Sequence, residues 1–274
     1  MPQTINTNMA SLNAQRALSA TQSSLSTSMQ RLSSGLRVNS AKDDAAGLAI
    51  AERMNAQIRG TNVAIRNAND AISMAQTAEG GIGKISDMLQ RMRELAVQSA
   101  NATNTTDDRG NLDKEFKQLA SEVTRTISST RFNGLAIIGG DAGTRSFQVG
   151  DKVGDTIDLV SSDLTSVTSI SSVVGGGVDS IDNATTAMAD IDAALDDVNA
   201  QRATYGAIQN RFEVAISTLQ NSAENTSAAR GRIVDADFAT ETANLSRAQI
   251  LQQAGTAMVA QANQMPQQVL SLLR

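Results

Sequence analysis

"AQILQQAGTAMVAQANQMPQQVLSLLR", residues 248–274, contains 26 consecutive uncharged residues before Arg274. Its apolar residues recur at steps of three and four, which places them along one stripe of a helix. These residues are Ile250, Leu251, Ala254, Met258, Ala262, Met265, Val269 and Leu272. Ten of the 26 residues are Gln, Asn, Ser or Thr, so insertion into lipid would leave many amide groups without partners. The stretch therefore predicts a helix that packs on protein and does not insert into a membrane.

Residues 1–30 form a similar segment, in which Arg16 is the one charged side chain. Its apolar residues also follow steps of three, four and seven: Ile5, Met9, Leu12, Leu18, Leu25, Met29, Leu32 and Leu36. Two uncharged heptad patterns at opposite ends of the chain predict that the termini pack together as a coiled coil. An antiparallel helix pair inside a monomer is the alternative, but a pair with so few charged residues is expected to pack against further helices.

The composition favours long helices and narrows the possible partners. Aromatic residues make up 2% of the chain and only two prolines interrupt it, whereas Ala, Leu, Ile and Met supply most of the apolar content. The formal net charge is −5, and the sequence has no dense basic stripe and few aromatics for base stacking, which argues against nucleic acid as a partner. The first 15 residues lack the basic and apolar regions of a general secretion signal.

The residue types for catalysis are scarce. Histidine and cysteine are absent, which removes the commonest general base, metal ligand and nucleophile, so we expect no enzyme and no cofactor. Asp190, Asp192, Asp196 and Asp197 are interpreted as a solvated helix face and not as a metal site. "EGGIGK" lacks the first glycine of a phosphate-binding loop, and its Lys84 is followed by isoleucine.

The first half of the chain predicts three helices. The first runs from about Asn6 to Ser34 and ends at Gly35. Ser40 and Asp43 have capping-box spacing for a second helix that continues to about Ser99. In that helix Ile58, Ile65 and Ile72 keep one heptad and Ile82, Leu89 and Ala96 another, so the pattern predicts a register change and a bend near "EGGIGK". Thr105 and Asp108 predict the start of a third helix that ends near Ser128.

The second half changes character twice. Asn133-Gly134 predicts a hairpin turn, and "RSFQVG" and "TIDLV" predict short strands within a loop-rich segment. A heptad seam then predicts a coiled-coil helix through Ile181, Ala184, Met188, Ile191, Leu195, Val198, Arg202, Tyr205, Gln209, Phe212, Ile216 and Leu219. "SAARGRIVDADFATE" interrupts it, and a terminal helix begins near Asp235 and Asp237.

The fold class predicted from these patterns is mainly α, a long coiled-coil hairpin or bundle with paired terminal helices and a small β-hairpin insert. We divide it into five ranges: terminal segments 1–40 and 232–274, long helices 41–134 and 179–231, and a β/loop segment 135–178.

The sequence resembles bacterial flagellin along most of its length. In the first half the resemblance is carried by "INTNMASLNAQRAL", "QRLSSGLRVNSAKDDAAGLAIAERM", "QRMRELAVQSANATNT" and "RFNG". In the second half it is carried by "GAIQNRFE", "RIVDADFATE" and "QANQMPQQVLSLLR". It covers about residues 1–140 and 180–274, and the variable middle of the family is reduced here to some forty residues.

The resemblance implies a self-assembling subunit of the extracellular flagellar filament, used for swimming, with the terminal helices in the filament core. The residues expected at that core interface are Ile5, Met9, Leu12, Leu18, Leu25, Met29, Leu32, Leu251, Met258, Met265, Val269 and Leu272. A hook-associated or minor flagellin, and a soluble helical signalling hairpin, are the alternatives.

The resemblance also implies partners. They are further copies of the chain, an export chaperone and the flagellar export apparatus, and the hook–filament junction and cap proteins. Arg91, Leu95 and Glu115 match a surface of the family that packs between subunits and is read by a host Toll-like receptor.

Overall fold

The computed structural model describes the backbone of residues 7–271 and the side chains of residues 7–265. The helices are α1 (Met9–Ser34), α2 (Ala45–Ser99), α3 (Thr106–Ser129), α4 (Thr168–Gly175), α5 (Ile181–Val234) and α6 (Phe238–Ser271). The strands are β1 (Arg131–Phe132), β2 (Leu135–Ala136), β3 (Thr144–Gln148) and β4 (Thr156–Val160). The chain is mainly α with two small antiparallel hairpins, which confirms the predicted fold class.

The chain divides into two compact units. One combines Met1–Ala56 with Glu224–Arg274, and the other is Gln57–Ala223. The five ranges proposed from the sequence are finer than this division and stay a prediction.

The core of the second unit is formed by seams on three helices. On α2 the buried residues include an unbroken series at alternating steps of three and four: Thr61, Ala64, Ala68, Ala71, Ala75, Ala78, Ile82, Ile85, Leu89, Met92, Ala96 and Ser99. Met74, Ser86 and Leu95 are buried beside it. On α3 the corresponding residues are Asp113, Phe116, Ala120, Val123 and Ile127. Such alternation keeps one face of each helix toward its neighbours throughout this unit.

The predicted register change in α2 is wrong. The helix crosses "EGGIGK" unbroken and keeps a single seam, because alanines occupy the seam before the glycines. Ile58, Ile65 and Ile72 flank that seam and are half-buried. Gly81 has a packing role, since an added Cβ would lie 2.6 Å from Thr130 Oγ1.

On α5, every second position of the buried seam differs from the one that the heptad pattern predicted. Ala184, Ile191, Val198, Tyr205 and Phe212 are buried as expected. The intervening buried positions are Ala187, Ala194 and Ile208, each one residue before the predicted one. The polar interruptions at Arg202 and Gln209 are explained, because both residues flank the seam.

Helices α2 and α5 run antiparallel to each other in the second unit. Arg93 Nε donates to Asp192 Oδ1 over 2.6 Å, and Gln209 Nε2 donates to Glu79 Oε2 over 2.9 Å, so α2 and α5 are linked at two levels. The hydrogen bond from Arg93 lowers the pKa of Asp192. The Asp192 carboxylate therefore forms an interhelical ion pair with Arg93 at the surface.

The segment between α3 and α5 contains both hairpins. Asn133 and Gly134 have φ values of 49° and 82°, which the two-residue turn between β1 and β2 requires. β3 and β4 pair with Arg145 opposite Leu159, and the Phe147 ring meets Phe212 edge-on at 5.9 Å. The hairpins confirm the predicted strands.

Helix α4 was not predicted, because its Ser- and Gly-rich sequence resembles a loop. It buries Ile170 and Val173, three residues apart, on the core cluster of the second unit. The burial of these two side chains outweighs the weak helix propensity of their neighbours.

In the first unit, the two connectors beside α1 and α6 pair with each other. Leu36 and Asp235 form an antiparallel β-bridge, Arg37 N donates to the Val234 carbonyl over 2.7 Å, and Ala236 N donates to the Gly35 carbonyl over 2.9 Å. Gly35, with φ of 71°, ends α1 as predicted. The two helices thus leave this junction side by side.

The predicted capping box at Ser40 and Asp43 closes a turn and does not start α2. Asp43 Oδ2 accepts from the backbone N–H groups of Asn39 and Ser40, which lowers its pKa. The helix starts later, where Asp44 Oδ1 accepts from Gly47 N over 2.8 Å. The start of α1 is also later than predicted, since Asn8 accepts from Ser11 N as its cap.

Candidate functional site: the paired terminal helices

Helices α1 and α6 lie antiparallel and close together over most of their length. Their facing positions follow steps of three and four. On α1 these are Ser11, Ala14, Leu18, Thr21, Leu25, Ser28 and Leu32, and on α6 they are Glu241, Leu245, Ala248, Gln252, Gly255, Val259 and Ala262. Most of these side chains are small or polar, so this seam differs from the apolar stripes that the sequence suggested.

Hydrogen bonds set the register of the pair. They run from Asn8 Nδ2 to the Ala262 carbonyl (2.7 Å), from Ser11 Oγ to Asn263 Oδ1 (2.7 Å) and from Gln252 Nε2 to Gln22 Oε1 (3.4 Å). At the far end of the pair, Arg31 Nη1 and Glu241 Oε1 form an ion pair of 3.1 Å. Polar groups at single levels specify one register more than they add stability.

At Gly255 the backbone of α6 lies close to a side chain of α1. A Cβ added at this position would lie 3.1 Å from Leu18 Cδ1. A glycine inside a helix costs about 1 kcal/mol relative to alanine, and here it allows Leu18 to pack directly on the backbone of α6. Gly255 was not predicted as a contact, because only the apolar residues at steps of three and four were considered for α6.

Several large apolar side chains of the pair are left exposed by the chain itself. Seven of them are between 43% and 65% exposed: Met9, Leu12, Met29, Ile250, Leu251, Met258 and Met265. Within residues 7–30 and 248–265, Arg16 is the one charged side chain. This part of the pair therefore presents exposed apolar side chains among uncharged polar ones, with a single charge, and we call its surface the terminal face.

The terminal face includes a shallow groove. It is lined by small residues from both helices, namely Ala10, Ala14, Ala17, Ala254 and Gly255. Leu18, Leu251 and Met258 are its larger lining residues, and Asn13 and Thr21 are its polar ones. Small residues at helical spacing allow another helix to approach closely, so the groove is suited to a helix and not to a small polar ligand.

The core-interface residues predicted from the sequence fall into three groups. Leu18, Leu25 and Leu32 are half-buried between α1 and α6, whereas Met9, Leu12, Met29, Leu251, Met258 and Met265 lie on the terminal face. Val269 lies on α6, beyond the described side chains, and Ile5 and Leu272 lie outside the described residues. Asn8, Ser11, Gln22 and Gln252 were missed, although the uncharged polar residues at heptad spacing were a usable signal.

The second predicted surface is only partly formed. Arg91 Nη2 lies 2.8 Å from Glu115 Oε1 and Arg91 Nη1 lies 2.8 Å from Glu94 Oε2, and all three side chains are exposed. Hydrogen bonds that Arg91 donates to the carboxylates of Glu94 and Glu115 raise the pKa of Arg91. Leu95 has no exposed surface and lies beside the α2 seam, so it is not a surface residue within the subunit, and its part in this surface stays a prediction.

The described residues offer no other site of the kinds considered from the sequence. Among them, His, Cys, Asp and Glu side chains form no group of three or more that could hold a metal ion. No helix in the described range is both long and apolar enough to cross a membrane.

Comparisons with known proteins agree with this arrangement of paired ends. A family model of the bacterial flagellin N-terminal helical region matches residues 5–142, and one of the C-terminal helical region matches residues 188–273. A flagellin of Halalkalibacterium halodurans is 45% identical over 98% of this chain and 99% of its own length. A flagellin of Xenorhabdus nematophila is 41% identical over the whole of both chains. The crystal structure of Bacillus cereus flagellin matches 60% of this chain and 94% of its own, with 34% identity and a TM-score of 0.52.

Proposed function

Because the chain belongs to the bacterial flagellin family and is a structural subunit of the flagellar filament, we propose that it polymerises through the terminal face of α1 and α6. The observation that carries this proposal is the exposure of seven large apolar side chains on an almost uncharged helix pair. In water such a surface is unfavourable, and further copies of the chain would cover it.

The free energy available from this face is of the right size for assembly. Fully burying a Leu, Ile or Met side chain contributes about 1.5–3 kcal/mol. Burying the exposed half of seven such side chains therefore contributes on the order of 5–10 kcal/mol per copy. Association itself costs about 4–15 kcal/mol. A subunit that docks on several neighbours at once buries enough apolar surface to meet that cost, whereas two isolated subunits do not. Contacts between copies that do not close into a ring build a helical polymer.

The near absence of charge supports burial among identical copies. A charge on this face would recur at every subunit of a helical tube, and each copy would need a partner or lose hydration. Arg31 already has Glu241 as its partner within the chain. The face thus adds little electrostatic cost when copies stack.

The terminal face also supports the partners implied by the family. Flagellar filaments lie outside the cell, so the subunit has to cross the envelope before it assembles. We infer that an export chaperone covers the face of α6 until the flagellar export apparatus takes the chain. Junction and cap proteins at the two ends of the filament would meet the same face, since the first and last subunits lack a neighbour there.

We infer a different role for the exposed surface around Arg91 and Glu115. Its charged residues are paired within the subunit, so it can pack beside a neighbouring subunit without leaving single charges. A host Toll-like receptor is its second proposed partner. Leu95 contributes to this surface only by holding α2 in place.

Seeded elongation tests the main proposal. Subunits dissociated by heat are mixed with sheared filament fragments, and growth is followed by light scattering and negative-stain electron microscopy. Met258→Asp places a carboxylate on the terminal face and should abolish elongation, whereas Met258→Leu keeps the site apolar and should elongate as the parent chain does. Both variants should show the parent far-ultraviolet circular dichroism as monomers.

Two results would contradict the proposal. Normal elongation by the Met258→Asp variant would show that the terminal face is not buried between copies. Failure of the parent chain to elongate good seeds would instead favour the alternative of a junction or minor component, whose abundance in sheared appendages should be low.

A further inference from the structure

The nine described methionines differ in their exposure to solvent. Met9, Met29, Met258 and Met265 lie on the terminal face and are between 52% and 63% exposed. Met74 and Met92, in the second unit, are almost completely buried, and the methionines at positions 54, 88 and 188 are half-buried. Among the described methionines, the thioethers most accessible to solvent are thus on the surface through which the chain is proposed to polymerise.

Composition makes these four thioethers the main target for oxidants. The chain contains no cysteine and no tryptophan, and its single tyrosine, Tyr205, is buried. Methionine is then the residue that peroxides oxidise most readily, and exposure decides which methionine reacts first. Buried Met74 and Met92 provide an internal comparison.

We propose that Met9, Met29, Met258 and Met265 form a peroxide-oxidisable site that blocks the docking of a second copy when it is oxidised in the free subunit. This inference rests on the proposed function, because it assigns a chemical control to the same face. The reaction is a two-electron oxidation by hydrogen peroxide. The thioether sulfur forms an S–O bond, the O–O bond of the peroxide breaks, and the second oxygen leaves as water.

The effect follows from the change in polarity. A sulfoxide is a polar, chiral group in place of a flexible apolar one, and burying it without a hydrogen-bond partner is unfavourable. Met258 lies in a groove lined mainly by alanine and leucine side chains, with Asn13 and Thr21 as its polar members, so few hydrogen-bond donors are near this position. Each sulfoxide should weaken docking on the order of tenfold to a hundredfold.

Assembly should protect the same residues. In a filament built through the terminal face, the four sulfurs lie between copies and meet the oxidant only when a subunit opens or leaves. The site is therefore sensitive in the exported or dissociated subunit and resistant in the polymer. Methionine sulfoxide reductases of both stereochemical classes reverse the modification.

The experiment uses the full chain. Dissociated subunits are treated with hydrogen peroxide, the peroxide is removed with catalase, and peptide mass spectrometry follows oxygen addition at each methionine over time. Seeded elongation is measured on the same samples with untreated seeds. We expect Met9, Met29, Met258 and Met265 to gain oxygen before Met74 and Met92, with elongation lost in parallel and restored by the two reductases.

Two variants make the test specific. The first replaces all four exposed methionines by leucine (M9L, M29L, M258L, M265L), which conserves volume and removes the oxidisable sulfur. Whatever its untreated rate of elongation, peroxide treatment should leave that rate unchanged. The matched control replaces the two buried methionines (M74L, M92L) and should lose elongation as the parent chain does.

The outcomes separate this inference from the proposed function. If the untreated parent chain elongates and its fully oxidised form elongates equally well, the inference is wrong while the proposed function stands. The inference also fails if the four-leucine variant loses elongation to the same extent as the parent. If that variant does not elongate even untreated, the inference is tested by the parent chain alone, through the order in which its methionines are oxidised and the rescue of elongation by the reductases. If the untreated parent fails on good seeds, the proposed function is what fails.

Discussion

Replacement of Asp113 by alanine should destabilise the second unit more than any surface charge mutation. The Asp113 carboxylate is almost buried on α3, and its Oδ1 accepts from the backbone N–H of Val178 over 2.9 Å. Val178 itself has no exposed surface. Gly177 lies against the same oxygen, since a Cβ there would be 2.7 Å from it. One carboxylate thereby attaches the segment before α5 to α3.

The magnitude follows from the two contacts of Asp113. Loss of a hydrogen bond to a charged group costs about 1.5–3 kcal/mol when the donor stays buried. The ion pair of 2.6 Å with Lys117 adds about 0.2–1 kcal/mol, because the lysine side chain is largely exposed. We therefore expect Asp113→Ala to lower the free energy of unfolding by about 2–4 kcal/mol. Asp113→Asn keeps an acceptor for Val178 and should lower it by only about 1 kcal/mol.

Guanidinium denaturation followed by far-ultraviolet circular dichroism measures the loss, and hydrogen exchange at the Val178 amide locates it. That amide should exchange faster in the alanine variant and near the parent rate in the asparagine variant. Equal destabilisation by both substitutions would refute the reasoning, because it would mean that the charge and not the hydrogen bond to Val178 holds the segment.

Three further predictions concern single positions. Gly206→Ala should raise the thermal midpoint, since an added Cβ meets no atom within 4 Å and alanine favours the helix by about 1 kcal/mol. Gly255→Ala should gain less than Gly206→Ala in the same melting experiment, and an equal gain would argue against a close contact with α1. Burial raises the pKa of Tyr205 to about 12, and the nearby Ser161 hydroxyl offsets this rise only in part. Because the folded pKa exceeds the usual 10.0, the contribution of Tyr205 to stability is complete below that value and is lost as the pH rises toward 12. Urea midpoints of Tyr205→Phe should therefore fall less than those of the parent between about pH 9 and about pH 11.5, and parallel falls would contradict this. Hydrogen bonds from Thr105 hold the pKa of Asp108 below its usual 3.8, so the first turn of α3 should lose protection as acid titrates the carboxylate. Amide exchange should show this loss in the parent and not in Asp108→Asn, whose protection should not change with acid.

Sequence patterns predicted the helices better than the faces that the helices bury. The end of α1 and the start of α3 were set by strong local signals, namely Gly35 and the capping box of Thr105 and Asp108, which the structure contains. The seam of α2 was misassigned because Ile65 and Ile72 are larger than the alanines that are actually buried. Side-chain size is a poor guide to burial where helices pack through small residues.

The terminal helices show the same limit more strongly. The sequence predicted that α1 and α6 pair, and they do, but not that Ser11 and Gly255 contribute to the contact while the methionines lie outside it. One hydrophobic pattern reflects every partner against which a helix packs. Apolar residues that would pack against other copies therefore cannot be distinguished from intramolecular core without the fold. Leu95 is a similar case, because its motif suggested a surface position although the side chain is fully buried beside the α2 seam.

The pairing of α1 with α6 has a consequence for the order in which the chain can fold. The hydrogen bond from Asn8 to the Ala262 carbonyl joins residues 254 positions apart, so nearly the whole polypeptide forms the intervening loop. The entropy of closing a loop rises with its length, and contacts of such high contact order form late. A ribosome has therefore almost completed the chain before α1 can meet its partner. A chain that threads through a narrow passage from its N-terminus likewise emerges with α1 still unpaired, and the first unit forms only after the C-terminal residues are released.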